Sequence, residues 1–289
     1  MNISFKTIND NRDPTFNQLL GINNEGEIAG YFGNGTTNPN KGYTVNSPYG
    51  QGNYTNENFP GSSQTQVTGI NNNDGHTAGF WVDGAGNNFG FVDIGGQFID
   101  VVDPHAKGAA AGGATFEQLL GLNDNHTAVG FYNDANGNAH GFTYDIKSGS
   151  FDAVNVSGFA SVTAAAINNE GHIAGFVSNG GNDEGFLKEG NKVELLKGPA
   201  GAVSVMALGV NNEDQVVGSY TDASGATHGF LYDESNKSYT TINDPNTAKS
   251  GPTSMTVVNG INDKGQLVGF YLDAAGNTDG MLVQVSGHK

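Results

Sequence analysis

Short apolar runs alternate along the whole chain with polar clusters rich in Gly, Asn and Asp, and the alternation repeats. Ile22 precedes Asn23-Asn24-Glu25-Gly26 and Ile28 follows it, which predicts two short strands joined by a tight turn whose glycine takes positive φ without steric cost. Copies of this hairpin begin at Gly21, Gly69, Gly121, Ala166, Gly209 and Gly260, spaced 43 to 52 residues apart. A period of this size points to a solenoid, a propeller or a tandem array. The second copy carries one extra residue in its turn, between Asn71 and Gly75, where a loop tip tolerates it.

A second turn follows each hairpin, clearest as Asp134-Ala135-Asn136-Gly137-Asn138-Ala139-His140-Gly141-Phe142 and as the matching stretch from Asp222 to Phe230. It leads into a third apolar strand and then a fourth, such as Tyr239-Thr240-Thr241-Ile242. Four short antiparallel strands per unit read as propeller blades. The last unit stops after its third strand, Met281 to Val285, and the missing strand stands at the other end. Ile3-Ser4-Phe5-Lys6-Thr7-Ile8-Asn9-Asp10 matches the segment from Tyr239 to Asp244. The pattern therefore predicts an all-β chain, one six-bladed β-propeller domain over 1–289 with four-stranded antiparallel blades, closed by the N-terminal strand. The blades are expected at about 15–58, 62–103, 114–156, 160–197, 201–245 and 253–285 plus 2–9. Closure removes the open sheet edges.

Charge narrows the partners. The net charge is −17, with 29 acidic against 12 basic residues, and Arg12 is the only arginine. Phosphate recognition needs a basic patch, so nucleic acid is excluded as an expectation. No apolar run reaches membrane-spanning length, and the absence of cysteine removes disulfides, thiolate catalysis and cysteine-bound metals. No cofactor and no metal are expected, since no two histidines stand at helix-type ligand spacing. A monomer is expected. No leader precedes the first strand, and the compartment stays open.

The two-part unit, Gly-Ile-Asn-Asn-x-Gly-x-Ile-x-Gly followed by Asp-x-x-Gly-x-x-His-Gly-Phe, resembles the bacterial repeats named HAF, for His-Ala-Phe, over nearly the whole chain. It departs from them in Gly141 and Gly229, where the family name implies alanine, and in keeping the histidine only in blades three and five. The resemblance implies an extracellular or cell-surface setting. At the level of fold the chain is also similar to fungal propeller cyclases that catalyse hetero-Diels-Alder reactions.

A feature present in every blade builds the ring; a ligand of low symmetry is read by positions that differ between blades. His140 and His228 sit at one repeated position and are expected to pin their own turns, as are Asp83, Asp134, Asp222 and Asp273. His76, His126 and His172 are expected at the opposite rim, in or beside the first hairpin turn, and solvated. The variable positions are those entering each first strand, among them Phe16, Gln18, Gln66, Phe116, Glu117, Gln118, Met206 and Met255, predicted to ring one mouth of the channel. Ordinary packing fits them equally. A second variable ring, including Trp81, Tyr132, Tyr220 and Tyr271, either belongs to the core or stacks a sugar. Three functions fit: a binder of a small molecule or carbohydrate; a cofactor-free cyclase or lyase using His105, Glu117 and Gln118; and a protein-interaction platform.

Overall fold

The computed structural model describes residues 2–248 and 251–286; His288 lies outside them. Six four-stranded antiparallel sheets follow one another around a ring, and the residues in strands are joined by turns and three short 3-10 segments. Five blades are sequential, with first strands Asn17–Ile22, Gln64–Ile70, Glu117–Leu122, Ser161–Ile167 and Ala202–Val210. The sixth runs Thr256–Ile261, Gln266–Leu272 and Thr278–Ser286, and its outer strand is Asn2–Thr7, paired from Asn2 opposite Ser286 to Thr7 opposite Met281. The predicted propeller and its closure are what the chain forms.

The core lies between blades. Phe91, Phe142, Phe186 and Phe230 are fully buried, each on the third strand of its blade, and cluster with the first strand of the same blade and with apolar residues of the blade before it. Close approach explains the repeated glycines. A Cβ at Gly218 would lie 1.9 Å from the carbonyl oxygen of Met206, and one at Gly130 would lie 2.1 Å from that of Gln118. No side chain fits there. The opening glycines meet around the axis instead: a Cβ on Gly69 would stand 3.1 Å from the Cα of Gly121 in the next blade, and one on Gly260 3.3 Å from that of Gly21.

The Asn pair of each hairpin does more than shape its turn. Asn23 Oδ1 accepts the amides of Glu25 and Glu27, the local cap that the repeat predicts. The second residue reaches across to a neighbouring blade. Backbone N–H groups of Asn24, Asn72, Asp124, Asn169, Asn212 and Asp263 donate in turn to Oδ1 of Asn72, Asp124, Asn169, Asn212, Asp263 and Asn24, at 2.6 to 2.9 Å. The hydrogen bonds close a ring at one end of the channel.

Candidate functional site

Each first strand carries a β-bulge, and the bulges build the channel. In every blade the pairing of first with second strand skips the residue before the opening position, Leu20, Thr68, Leu120, Ala165, Leu208 and Asn259, and blade five skips Val203 as well. A bulge re-aims the extra residue. These six line the channel just before the opening glycines and Ala166. Asn259 replaces an apolar residue or threonine there, and its Oδ1 is buried without a hydrogen-bond partner.

Above this constriction the channel opens into a cavity of about 620 Å³. Its walls lean toward blades one to three and carry Gln18, Asn40, Gln64, Gln66, Asn88, Gln118 and Asn259, with Phe80 and the bulge leucines as apolar floor. Two amides are held in place: the Tyr31 hydroxyl donates to Gln18 Oε1 at 2.8 Å, and Gln66 Nε2 donates to Asn40 Oδ1 at 2.9 Å. No lining side chain is ionisable. In a chain of net charge −17 this is a local property of the mouth. Such a surface offers paired donors and acceptors at fixed positions and no charge.

Of the residues singled out from the sequence, Gln18, Gln66 and Gln118 converge on this cavity. Phe16, Phe116 and Met255 are half-buried and bridge through their backbones to Thr278, Asn88 and Thr227 of the preceding blade; Met206 is half-buried opposite Ser219. None of these four belongs to the cavity wall. Tyr220 and Tyr271 are buried, their hydroxyls bonded to Thr241 and Thr7. Trp81 stacks on Phe59 at 4.5 Å and donates from Nε1 to Asp100. Gln64, at the start of the first strand of blade two, lines the cavity too; sequence reading overlooked Asn40 and Asn88, which stand outside the first strands, and the bulge residues, whose one signal is their place before each opening glycine.

Glu117 is corrected most. Strand alternation turns it away from Gln118 and into the join of blades two and three, where it is fully buried. Its Oε2 accepts the Asp103 amide at 2.7 Å, as Asn17, Thr65 and Thr256 accept the amides of Asp10, Phe59 and Asp244 at three other joins. It is a loop peg. Its Oε1 has no partner. Burial pushes its carboxyl up to about 8 against the opposing Asp103 N–H bond, and the charges of Asp103 and Asp100 add to the rise. A carboxyl whose folded pKa is raised loses stability as pH climbs from the unfolded value of ~4.3 toward the folded one. Glu117→Gln is therefore expected to stabilise the ring at pH 7, by up to about 3 kcal/mol, and to flatten the stability profile between those two values. Denaturant unfolding across that range tests this; an unchanged slope contradicts it.

His105, Tyr132 and His140 line a separate groove of about 760 Å³ between blades three and four, with Phe151 and Phe159. His140 stacks on Tyr132 at 5.0 Å and donates from Nε2 to Asp134 at 3.1 Å; His228 repeats this with Tyr220 at 4.9 Å and Asp222 at 3.0 Å. The bond from His140 is the main cause that holds Asp134 down at about 2. The Ser224 hydroxyl, then His228, hold Asp222 well below its ordinary range. Both histidines pin their own turns. His105 is exposed and bonded to Asp103 at 2.8 Å.

No family model matches the chain, and no curated protein matches it in sequence. Solved structures match in fold. A putative TolB from Agrobacterium tumefaciens superposes with a TM-score of 0.62 at 12% identity, covering 100% of this chain and 99% of that one. The lectin of Aleuria aurantia in complex with Fucalpha1-6GlcNAc gives 0.56 at 12% identity, over 94% and 93%. AofleA from Arthrobotrys oligospora gives 0.53 at 10%, over 97% and 86%. The chain spans only 43% of a matching prolyl endopeptidase and 64% of the TolB of Acinetobacter baumannii. At these identities the likeness is one of fold.

Proposed function

We propose that the protein is a carbohydrate-binding propeller that takes a neutral sugar in the channel mouth over blades one to three. The observation that carries this reading is the wall of carboxamides without an ionisable group, in an otherwise strongly acidic chain. Carboxamides donate and accept at once, which matches vicinal hydroxyls, and the apolar floor suits the C–H face of a pyranose. Fucose-bound lectins among the fold neighbours support the class of ligand, and the HAF-like repeat supports a setting outside the cell, where glycans are met. The cyclase reading is weaker. Of the three residues it would use, only Gln118 is at the mouth, while Glu117 and His105 lie away from it.

Titration calorimetry against a panel of neutral mono- and oligosaccharides tests the proposal. Gln66→Ala and Gln118→Ala are expected each to weaken binding by about 1 kcal/mol, five- to tenfold, with Tm unchanged. His140→Ala is expected to lower Tm and leave affinity alone. Binding that survives both glutamine variants but is lost in His140→Ala moves the site to the groove between blades three and four. A panel with no binder at all ends the sugar reading.

A further inference from the structure

The first hairpin turn of each blade passes through the left-handed region of φ. Glycine does so in four blades, as Gly26, Gly75, Gly171 and Gly265, with φ between 64° and 81°. His126 and Asp214 do so in the other two, with φ of 65° and 55°. A side chain there carries a backbone cost that glycine avoids. Strain kept at two places in a repeat where four others avoid it calls for a reason.

Both exceptions follow a blade whose turn reads acid-Gly-His. Asp74-Gly75-His76 precedes the blade of His126, and Glu170-Gly171-His172 precedes that of Asp214; the triplet occurs in no other blade. The residue after the left-handed position in one blade faces that position in the next. Thus a Glu27 carboxylate oxygen lies 3.6 Å from where a Cβ of Gly75 would stand, and Gln266 Oε1 3.8 Å from that of Gly26. His76 and His126 are such a facing pair. So are His172 and Asp214.

The two joins differ in how their side chains are spent. His172 donates from Nδ1 to Asp214 at 2.8 Å, and Asn168 donates to the same carboxylate oxygen, so that pair satisfies itself. Asp74, His76 and His126 bring a ligand atom each within 4.8 Å of the others, with no hydrogen bond joining them among the described residues. The imidazole centroids are 6.1 Å apart at 68°, and His126 Nδ1 is cut off from solvent without a partner. We propose that Asp74, His76 and His126 bind a divalent transition ion of borderline softness, with Zn²⁺ as the type case, clipping blade two to blade three. Two imidazoles and one carboxylate are a donor set for such an ion rather than for Ca²⁺ or Mg²⁺, which take oxygen. Asp74 is exposed, so water completes the coordination. Spacing along the chain conceals this set, because its histidines come from different blades.

The test is Zn²⁺ and Co²⁺ binding by untagged protein, read by calorimetry, by the Co²⁺ absorption bands and by Tm. One ion per chain is expected, with a rise in Tm that Mg²⁺ and Ca²⁺ do not give. His76→Ala should abolish the response. The decisive variant is His126→Gly, which removes a ligand but restores the residue that four other blades use. It should lose ion binding while keeping its Tm in metal-free buffer. His172→Gln should bind as the unaltered protein does. The assignment is overturned if Zn²⁺ neither binds nor shifts Tm, if the response persists in His126→Gly, if His172→Gln abolishes it, or if Ca²⁺ reproduces it.

Discussion

Removing residues 1–9 is expected to leave a protein without a cooperative melting transition. The closing strand makes six register pairs with Thr278–Ser286. The segment after it acts as a plug between the last blade and the first. Ile8 is buried among Leu19, Ile22, Ile28 and Val268, and its amide donates to the Gly280 carbonyl at 2.9 Å. Asn9 donates to Asp279 and accepts from the Gly280 amide, while Thr7 meets the Tyr271 hydroxyl. Truncating one buried isoleucine to alanine costs about 2–5 kcal/mol, and the stability of a whole domain is about 5–15 kcal/mol. Loss of the full strand removes several such contributions and bares a sheet edge, so aggregation accompanies the loss. Ile8→Ala serves as the graded control: it should fold with a destabilisation of about 3 kcal/mol in denaturant unfolding. A truncated chain that melts as the full one does would falsify this account of closure.

The ring was legible in the sequence because its period and complementary end strands repeat in plain residues. What sequence could not separate is a contact inside a blade from the same contact between blades, since both recur once per period. Asn23 and Asn24 look alike in the chain, yet Asn23 caps its own turn with Oδ1 and also donates from Nδ2 to the Asn71 carbonyl of the next blade, while Asn24 reaches that blade through its backbone amide. The mouth was half legible for a different reason. The segments that differ between blades led to Gln18, Gln66 and Gln118, which the structure brings to one cavity, but the bulge at Leu20 and its equivalents breaks the strand pattern, so the channel wall itself was overlooked. Treating neighbours as one cluster then carried Glu117 into the mouth with Gln118, although adjacent strand residues face opposite ways. The half-buried His76 and His126 escaped for a third reason, being brought together only by the joining of two blades.

Asp124→Ala is expected to lower stability by about 3 kcal/mol while the six blades still form. In the ring of hydrogen bonds at the channel end, two members are aspartates, Asp124 in blade three and Asp263 in blade six, on opposite sides of the axis. The other four are asparagines whose amide groups are all spent on them. Asp124 Oδ2 accepts from Asn72 and Asn169, and Asp263 Oδ2 accepts from Asn24 and Asn212. Each carboxylate also accepts a backbone amide at Oδ1, from Asn72 to Asp124 and from Asn212 to Asp263. The arrangement requires an acceptor without a proton at these two places. Burial works to raise Asp124, but the bonds from Asn169 and Asn72 and the backbone amides of Asn72 and Asn73 outweigh it and hold the group below its ordinary range. A carboxylate lowered in this way contributes its full stability above the unfolded value of ~3.9 and loses it as pH falls through the folded one. Asp124→Asn should then cost less than Asp124→Ala at pH 7, since it keeps one acceptor oxygen but sets its own N–H₂ group against a neighbouring donor. It should also shrink the loss of stability on acidification. Denaturant unfolding at pH 7 and between pH 5 and the acid limit gives both readings. If Asp124→Asn is as stable as the parent at pH 7 and falls with acid along the same curve, the ionised carboxylate is not what holds the ring.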